Sequence, residues 1–321
     1  MWILFGLFAA VAGVSMADML VSSKTDTPED EGSSDTTSTD TADVPHARTS
    51  ALPDTIVFEN HASSPSPLYH AQEMGLFDDL DERVHSSDLY PPAQPPLPQY
   101  LEGGSGDNRL TGTIANDTLV GGAGNDTLVG AGGDNLLQVD SGANHLIGAE
   151  GNDTLIGGSG NDTLEGGWGD DLLFAGQGDN LLMGGAGNDT LIGAFLNDTG
   201  QDHSGANFLN GGAGDDLLIA GQADTLSGGE GADLFALGDW LAGGAPALIV
   251  DFNSSLDQIV LHYDPDRLPP PEVSVTFSAD QPDMADIRLN GHIVAHVANA
   301  PSLTADAIAI VAGHPVAIAA E

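Results

Sequence analysis

A nine-residue unit recurs from Gly103 to Ala236, and its period constrains the fold more than any other feature of the chain. Its clearest copy is Gly121-Gly122-Ala123-Gly124-Asn125-Asp126-Thr127-Leu128-Val129, and Gly184 to Ile192 repeats it with only the last residue changed. Thirteen units run without a break from Gly103 to Ile219, followed by a shortened unit, Ala220 to Ser227, and a closing unit, Gly228 to Ala236. The first six positions are turn chemistry, with glycines at one, two and four where positive φ is needed. The last three read as a short strand whose middle residue, at position eight, faces one side alone. That residue is Leu in thirteen of fifteen units, the exceptions being Gly200 and Phe235. One unit is too short to close a coil, but two can. The period therefore predicts two parallel sheets facing each other across a leucine ladder, about seven coils at roughly 4.8 Å each.

Composition agrees with a narrow core. The 321 residues include 43 Gly but only 10 Phe and 3 Trp. The net charge of −42 leaves no basic patch to neutralise phosphate, which excludes nucleic acid as a partner. Between Gly103 and Ala236 there are seventeen Asp, three Glu and one Arg, Arg109. Such carboxylates repel one another unless cations sit between them. Cysteine is absent, so neither a disulfide scaffold nor a thiolate metal site can form.

Ahead of the array, residues 1–21 form an apolar segment in which Trp2 to Ala17 carries no charge. Small residues at Ser15-Met16-Ala17 suit signal cleavage, but no Lys or Arg precedes the run. Export with cleavage and anchoring in a membrane are both expected uses, and a buried core helix is the plainer alternative. Residues 22–102 read as a disordered acidic and Pro-rich linker. Thr25 to Asp43 is too polar to offset the entropy of ordering, and Pro91 to Pro98 reads as an extended spacer.

The array from Gly103 to Ala236 resembles the parallel β-roll of the RTX (repeats-in-toxin, hemolysin-type) family. The resemblance implies an all-β fold, a β-solenoid of nonapeptide repeats with a C-terminal β cap, secreted or displayed at the cell surface. It implies multiple calcium ions held between turns stacked on the same side, with position-six aspartates and turn carbonyls as ligands. Such an all-oxygen set suits a hard cation. The implied ligands are Asp117, Asp126, Asp153, Asp162, Asp171, Asp189, Asp198, Asp216, Asp224 and Asp233. Unbroken counting puts Asp117, Asn135, Asp153, Asp171, Asp189, Asn207 and Asp224 in one file. The other file is Asn108, Asp126, Asn144, Asp162, Asn180, Asp198, Asp216 and Asp233. The tightest sites are expected at Asp153-Asp171-Asp189 and Asp198-Asp216-Asp233. Asn keeps a carbonyl but loses a charge, and Asp at position five (Asp107, Asp134, Asp179) is read as partial compensation. The unit Gly193 to Gln201 departs from the pattern, with Phe195-Leu196 replacing glycines and Gly200 replacing the core leucine.

Position nine points outward, so Ile156, Phe174 and Ile192 are expected side by side with Trp168 nearby. Such a stripe is a docking surface, or plain strand propensity, or a face covered by the chain's own linker, and the last two readings are preferred. Residues 237–321 read as a capping segment. Strands are expected at Ala247 to Phe252, Gln258 to Tyr263 and Glu272 to Ser278, with a hairpin turning at Asn290-Gly291. Leu303 to Glu321 is read as a type I secretion signal or as the cap's last strand or helix.

No His-Glu-x-x-His helix and no Gly-x-Ser-x-Gly elbow occur, and His292 and His296 lie on a predicted strand. The chain is therefore expected not to be an enzyme. A structural or adhesive calcium-binding protein is the first functional expectation. A polysaccharide- or ice-binding solenoid, or an accessory module of an exported system, is the alternative. The Thr file at position seven is broken by Leu, His, Phe and Arg, which weakens the ice reading.

Overall fold

The computed structural model describes residues 95–313, apart from 198–199, 267–268 and 279. The expectations for residues 1–94 and for the tail 314–321 lie outside the described residues, as does Asp198.

A first strand precedes the array's first turn, and each repeat except Gly193 to Gln201 then supplies one more. In chain order these are β1 (Tyr100–Ser105), β2 (Arg109–Thr111), β3 (Thr118–Ala123), β4 (Thr127–Gly132), β5 (Leu136–Gln138), β6 (His145–Glu150) and β7 (Thr154–Ile156). There follow β8 (Thr163–Trp168), β9 (Leu172–Phe174), β10 (Leu181–Ala186), β11 (Thr190–Ile192), β12 (Phe208–Ala213), β13 (Leu217–Ile219), β14 (Thr225–Glu230) and β15 (Leu234–Gly238). The capping segment adds β16 (Ala247–Ile249), β17 (Gln258–Tyr263), β18 (Val273–Ser278), β19 (Gln281–Leu289), β20 (His292–Val297) and β21 (Ile308–Ala312). Odd strands from β1 to β17, then β21, build the first sheet; even strands from β2 to β16, then β20, β19 and β18, build the second. Every repeat strand pairs in parallel with the strand two further along the chain. The expected β-roll is what forms.

Position eight fills the space between the sheets. Leu155, Leu173 and Leu191 are in register in the first sheet, Leu146, Leu164 and Leu182 in the second, and all are fully buried. The ladder ends on Phe235, whose ring meets Phe252 edge-on at 6.3 Å. The cap continues both sheets past this point, β17 and β21 in the first, β16 and β20 in the second, so the last repeat is not left as a free edge. The expected hairpin turns at Asn290 (φ 51°) and Gly291 (φ 86°), the paired positive φ of a type I′ turn. The last expected element is a strand: β21 lies parallel to β17.

Two expectations about the array need correction. The roll begins before Gly103, because Tyr100 and Leu101 of the Pro-rich segment's end pair with Thr118 and Leu119. More consequential is the unit Gly193 to Gln201, which makes no rung. Successive rungs are normally 18 residues apart, but Asp189 meets Asp216 and Asn180 meets Asn207 at 27. Leu196 occupies the fourth position, where most other turns have positive φ, as at Gly187 and Gly214, and Gly200 brings no side chain to the core. The segment instead loops out. Asp202 holds it, accepting from the Phe195, Ser204 and Gln222 N–H groups and from Ser204 Oγ. Ile192, expected outward beside Phe174, keeps that register but is buried, in one cluster with Ala194 and Leu196 of the loop.

The second turn position normally holds glycine because its φ is positive, yet Ala131 and Ala149 adopt φ of 84° and 89° there. An L residue in that region is strained by about 1–3 kcal/mol. Ala149→Gly should therefore stabilise the calcium-saturated protein by about 1 kcal/mol after the added chain entropy is offset, read as a higher urea midpoint.

Candidate metal centre

The turns stack in two rows, one leading into each sheet, and position six organises both. In the first row the backbone N–H of Asp153 donates to Asp171 Oδ1 (2.7 Å), that of Asp171 to Asp189 (2.8 Å), Asp189 to Asp216 (2.7 Å) and Asp216 to Asp233 (3.0 Å). The row continues to Asp257 of the capping segment at 3.1 Å. The second row runs Asn108, Asp126, Asn144, Asp162, Asn180, Asn207, Asp224 by the same bond. The looped-out unit thus exchanges the rows expected for everything after Ile192. Asp189 stacks on Asp216, not on Asn207, so the two aspartate runs read from the sequence merge into one: Asp153, Asp171, Asp189, Asp216, Asp233.

Each of these carboxylates uses Oδ1 in the ladder and leaves Oδ2 over. Among the described residues, Oδ2 of Asp126, Asp153, Asp162, Asp171, Asp189, Asp216 and Asp233 is buried without a hydrogen-bond partner, and so is Asn108 Oδ1. A buried carboxylate oxygen left this way costs free energy, so its regular recurrence needs a cause. The first-position glycines show where it points. A Cβ on Gly148 would collide with Asp153 Oδ2 and the Gly166 carbonyl oxygen, and one on Gly166 with Asp171 Oδ2 and the Gly184 carbonyl. Carboxylate and carbonyl oxygens therefore converge between successive turns. A dehydrated cation of oxygen preference fits that donor set.

Electrostatics point the same way. Burial pushes the Asp171 carboxyl up to about 8, against the hydrogen bond from Asp153 N–H and with help from Asp189, Asp153 and Asp170. Burial likewise raises Asp216 to about 7 and Asp153, Asp162 and Asp189 to about 6, and it raises Asp126 and Asp233. Without a counter-charge these groups favour protonation.

The remaining expected ligands differ. Asp117 Oδ2 accepts from both Thr113 N–H and Thr113 Oγ, so that carboxylate is satisfied by protein donors. Asp224 Oδ2 accepts the Gly221 N–H at 2.6 Å inside the shortened unit. Position-five Asp does not compensate for Asn at six. Asp107 and Asp134 are exposed and accept the N–H of Asn125 and Asn152 in a second ladder. Asp257, Asp202 and Thr113 were not among the residues singled out from the sequence. Asp257 could have been found from its place after the last turn, whereas the Asp202 clip leaves no periodic signal. Among the described residues no three His, Asp or Glu side chains gather into a metal cluster. Any ion here depends on backbone carbonyls as much as on side chains.

The family described as RTX calcium-binding nonapeptide repeat (4 copies) matches residues 102–137, 138–173, 165–200, 192–223, 203–235 and 221–239. Residues 102–239 are RTX calcium-binding repeats. That family is described as calcium-binding, and the matched residues include the oxygen-lined turns. No curated protein matches the sequence. Among solved structures, the extracellular lipase LipA from Serratia marcescens aligns at 20% identity over 64% of this chain, with a TM-score of 0.19. The alignment spans 40% of the lipase chain, less than half of that protein.

Proposed function

We propose that this chain is a secreted or cell-surface protein without enzymatic activity, whose RTX roll closes when extracellular calcium binds and then serves as a stiff structural or adhesive element. The observation that carries this reading is the unbroken file of five buried aspartates, each with an unpartnered Oδ2 facing the next turn. Calcium, when bound, supplies positive charge and oxygen coordination between stacked turns. Asp153, Asp171, Asp189, Asp216 and Asp233 would hold it, together with turn carbonyls such as that of Gly166. The same side chains keep the ion-free array open at neutral pH, because burying them side by side brings like charges together. Leu155, Leu173 and Leu191 then close the core once the turns stack. An array that stays open where calcium is scarce and folds at about millimolar levels outside the cell suits export in an unfolded state. Absence of a zinc helix or nucleophile elbow in the sequence supports a non-catalytic role.

A far-ultraviolet circular dichroism titration with calcium tests this reading. The strand signal should rise cooperatively with calcium and vanish in chelator at pH 8. An identical spectrum in both conditions would refute calcium-coupled folding.

A further inference from the structure

The two turn rows are chemically unequal, and the inequality rests on asparagine. In the second row Asn144, Asn180 and Asn207 hold position six, whereas the first row has aspartate in five consecutive rungs from Asp153 to Asp233. Asn135 lies earlier in the first row. All four asparagines are almost fully buried, at 2–4% exposure. Their amides cannot turn freely. In each, Oδ1 accepts the backbone N–H of the rung before it: Asp117 onto Asn135 at 2.9 Å, Asp126 onto Asn144 at 2.7 Å, Asp162 onto Asn180 at 2.8 Å and Asn180 onto Asn207 at 2.9 Å. That bond forces Nδ2 into the place an aspartate gives to its unpartnered Oδ2.

The glycine cradle shows the equivalence at Asn135. A Cβ on Gly130 would meet Asn135 Nδ2 and the Gly148 carbonyl, just as one on Gly148 would meet Asp153 Oδ2 and the Gly166 carbonyl. From there each Nδ2 donates to oxygens. Asn135 Nδ2 reaches Gly133 O (2.8 Å) and Asp153 Oδ1 (2.9 Å), and Asn144 Nδ2 reaches Asp162 Oδ1 (2.8 Å). Asn180 Nδ2 reaches Gly178 O (3.1 Å) and Asn207 Oδ1 (3.0 Å), and Asn207 Nδ2 reaches Gly193 O (3.0 Å). An N–H donor pair stands where turn oxygens would otherwise need a cation.

We propose that these asparagine amides are built-in substitutes for calcium, so that the strong calcium sites lie in one turn row, from Asp153 to Asp233, while the opposite row closes without them. This rests on the calcium reading above and says which turns it governs. Asp126 and Asp162 remain in the second row with unpartnered oxygens, but each is flanked by asparagine rungs and lacks an adjacent carboxylate to share an ion. Fewer ions are then required to fold the roll than the number of repeats suggests, and calcium acts on one side of it.

Two near-isosteric substitutions in the full chain test the assignment, each read by equilibrium dialysis against calcium chloride and by the steepness with which the strand signal rises with calcium at pH 8. Asn144→Asp joins Asp126 and Asp162 into a carboxylate run. It should bind at least one calcium more than wild type and fold with a steeper calcium dependence. Asp171→Asn breaks the first-row run; it should bind fewer ions and fold with a shallower calcium dependence, because an amide now bridges the turns. Asn144→Asp with no added calcium, or with an unchanged calcium dependence, overturns the assignment. So does Asp171→Asn that keeps the wild-type ion number, and this second variant decides the matter if the first does not fold. A wild-type chain that binds no calcium overturns both the assignment and the reading beneath it, whereas calcium binding spread over both rows overturns the assignment alone.

Discussion

In chelator at pH 8 the protein will show little strand signal, and acidifying the same sample to about pH 5 will restore much of it. The direction follows from the buried carboxylates. Asp171 titrates at about 8 in the folded roll, Asp216 at about 7, and Asp153, Asp162 and Asp189 at about 6, all above the unfolded value of 3.8, chiefly because burial disfavours the charged form. A folded state that binds more protons than the unfolded one gains stability as pH falls. The ion-free roll is therefore most stable below about pH 4 and loses that stability as pH rises through 6 to 8. Calcium reverses the slope, since its ligands must be ionised and protons compete for them. With saturating calcium, stability should fall on acidification. Thermal midpoints measured from pH 5 to pH 8 with calcium, and with chelator over the acidic part of that range where the chain still folds, should give two curves of opposite slope. Parallel curves would mean that these aspartates are not where calcium acts.

Leu173→Ala should destabilise the calcium-saturated protein by about 2–5 kcal/mol, the range for removing a fully buried leucine. The upper half of that range is expected. Each sheet gives the core a single file of leucines, and Leu173 sits between Leu155 and Leu191 in strict register. Backbone pairing holds those neighbours a rung apart, so they cannot close over the cavity as a looser core does. Calcium-saturated urea unfolding measures the effect. A loss below about 1 kcal/mol would show that the ladder is not what closes the roll.

Much of this architecture was legible in the nonapeptide itself. Position eight specified the ladder, and the eighteen-residue coil followed from the inability of nine residues to close. The C-terminal strands and the Asn290-Gly291 turn followed from alternation and turn chemistry. What escaped was topological. The segment from Gly193 to Gln201 is one period long, so counting carried it through as a rung, although Leu196 at a positive-φ position and Gly200 in the core row both argued against it. That single step misassigned every later turn to the wrong row and hid the five-aspartate run. Side-chain satisfaction escaped too. Thr113 at Asp117 and Gly221 at Asp224 supply donors that no repeat pattern reveals, and the amide orientation of Asn144 is fixed by the Asp126 N–H on one side and Asp162 Oδ1 on the other.

The central claim is that calcium held by stacked aspartates closes the roll, and amide hydrogen exchange at those residues tests it most directly. The N–H groups of Asp153, Asp171, Asp189 and Asp216 each donate to the carboxylate of the next rung, so their exchange reports whether the turns are stacked. At pH 8 with calcium these four amides should be strongly protected, and chelator should release them together. Protection that survives chelation unchanged would contradict the account.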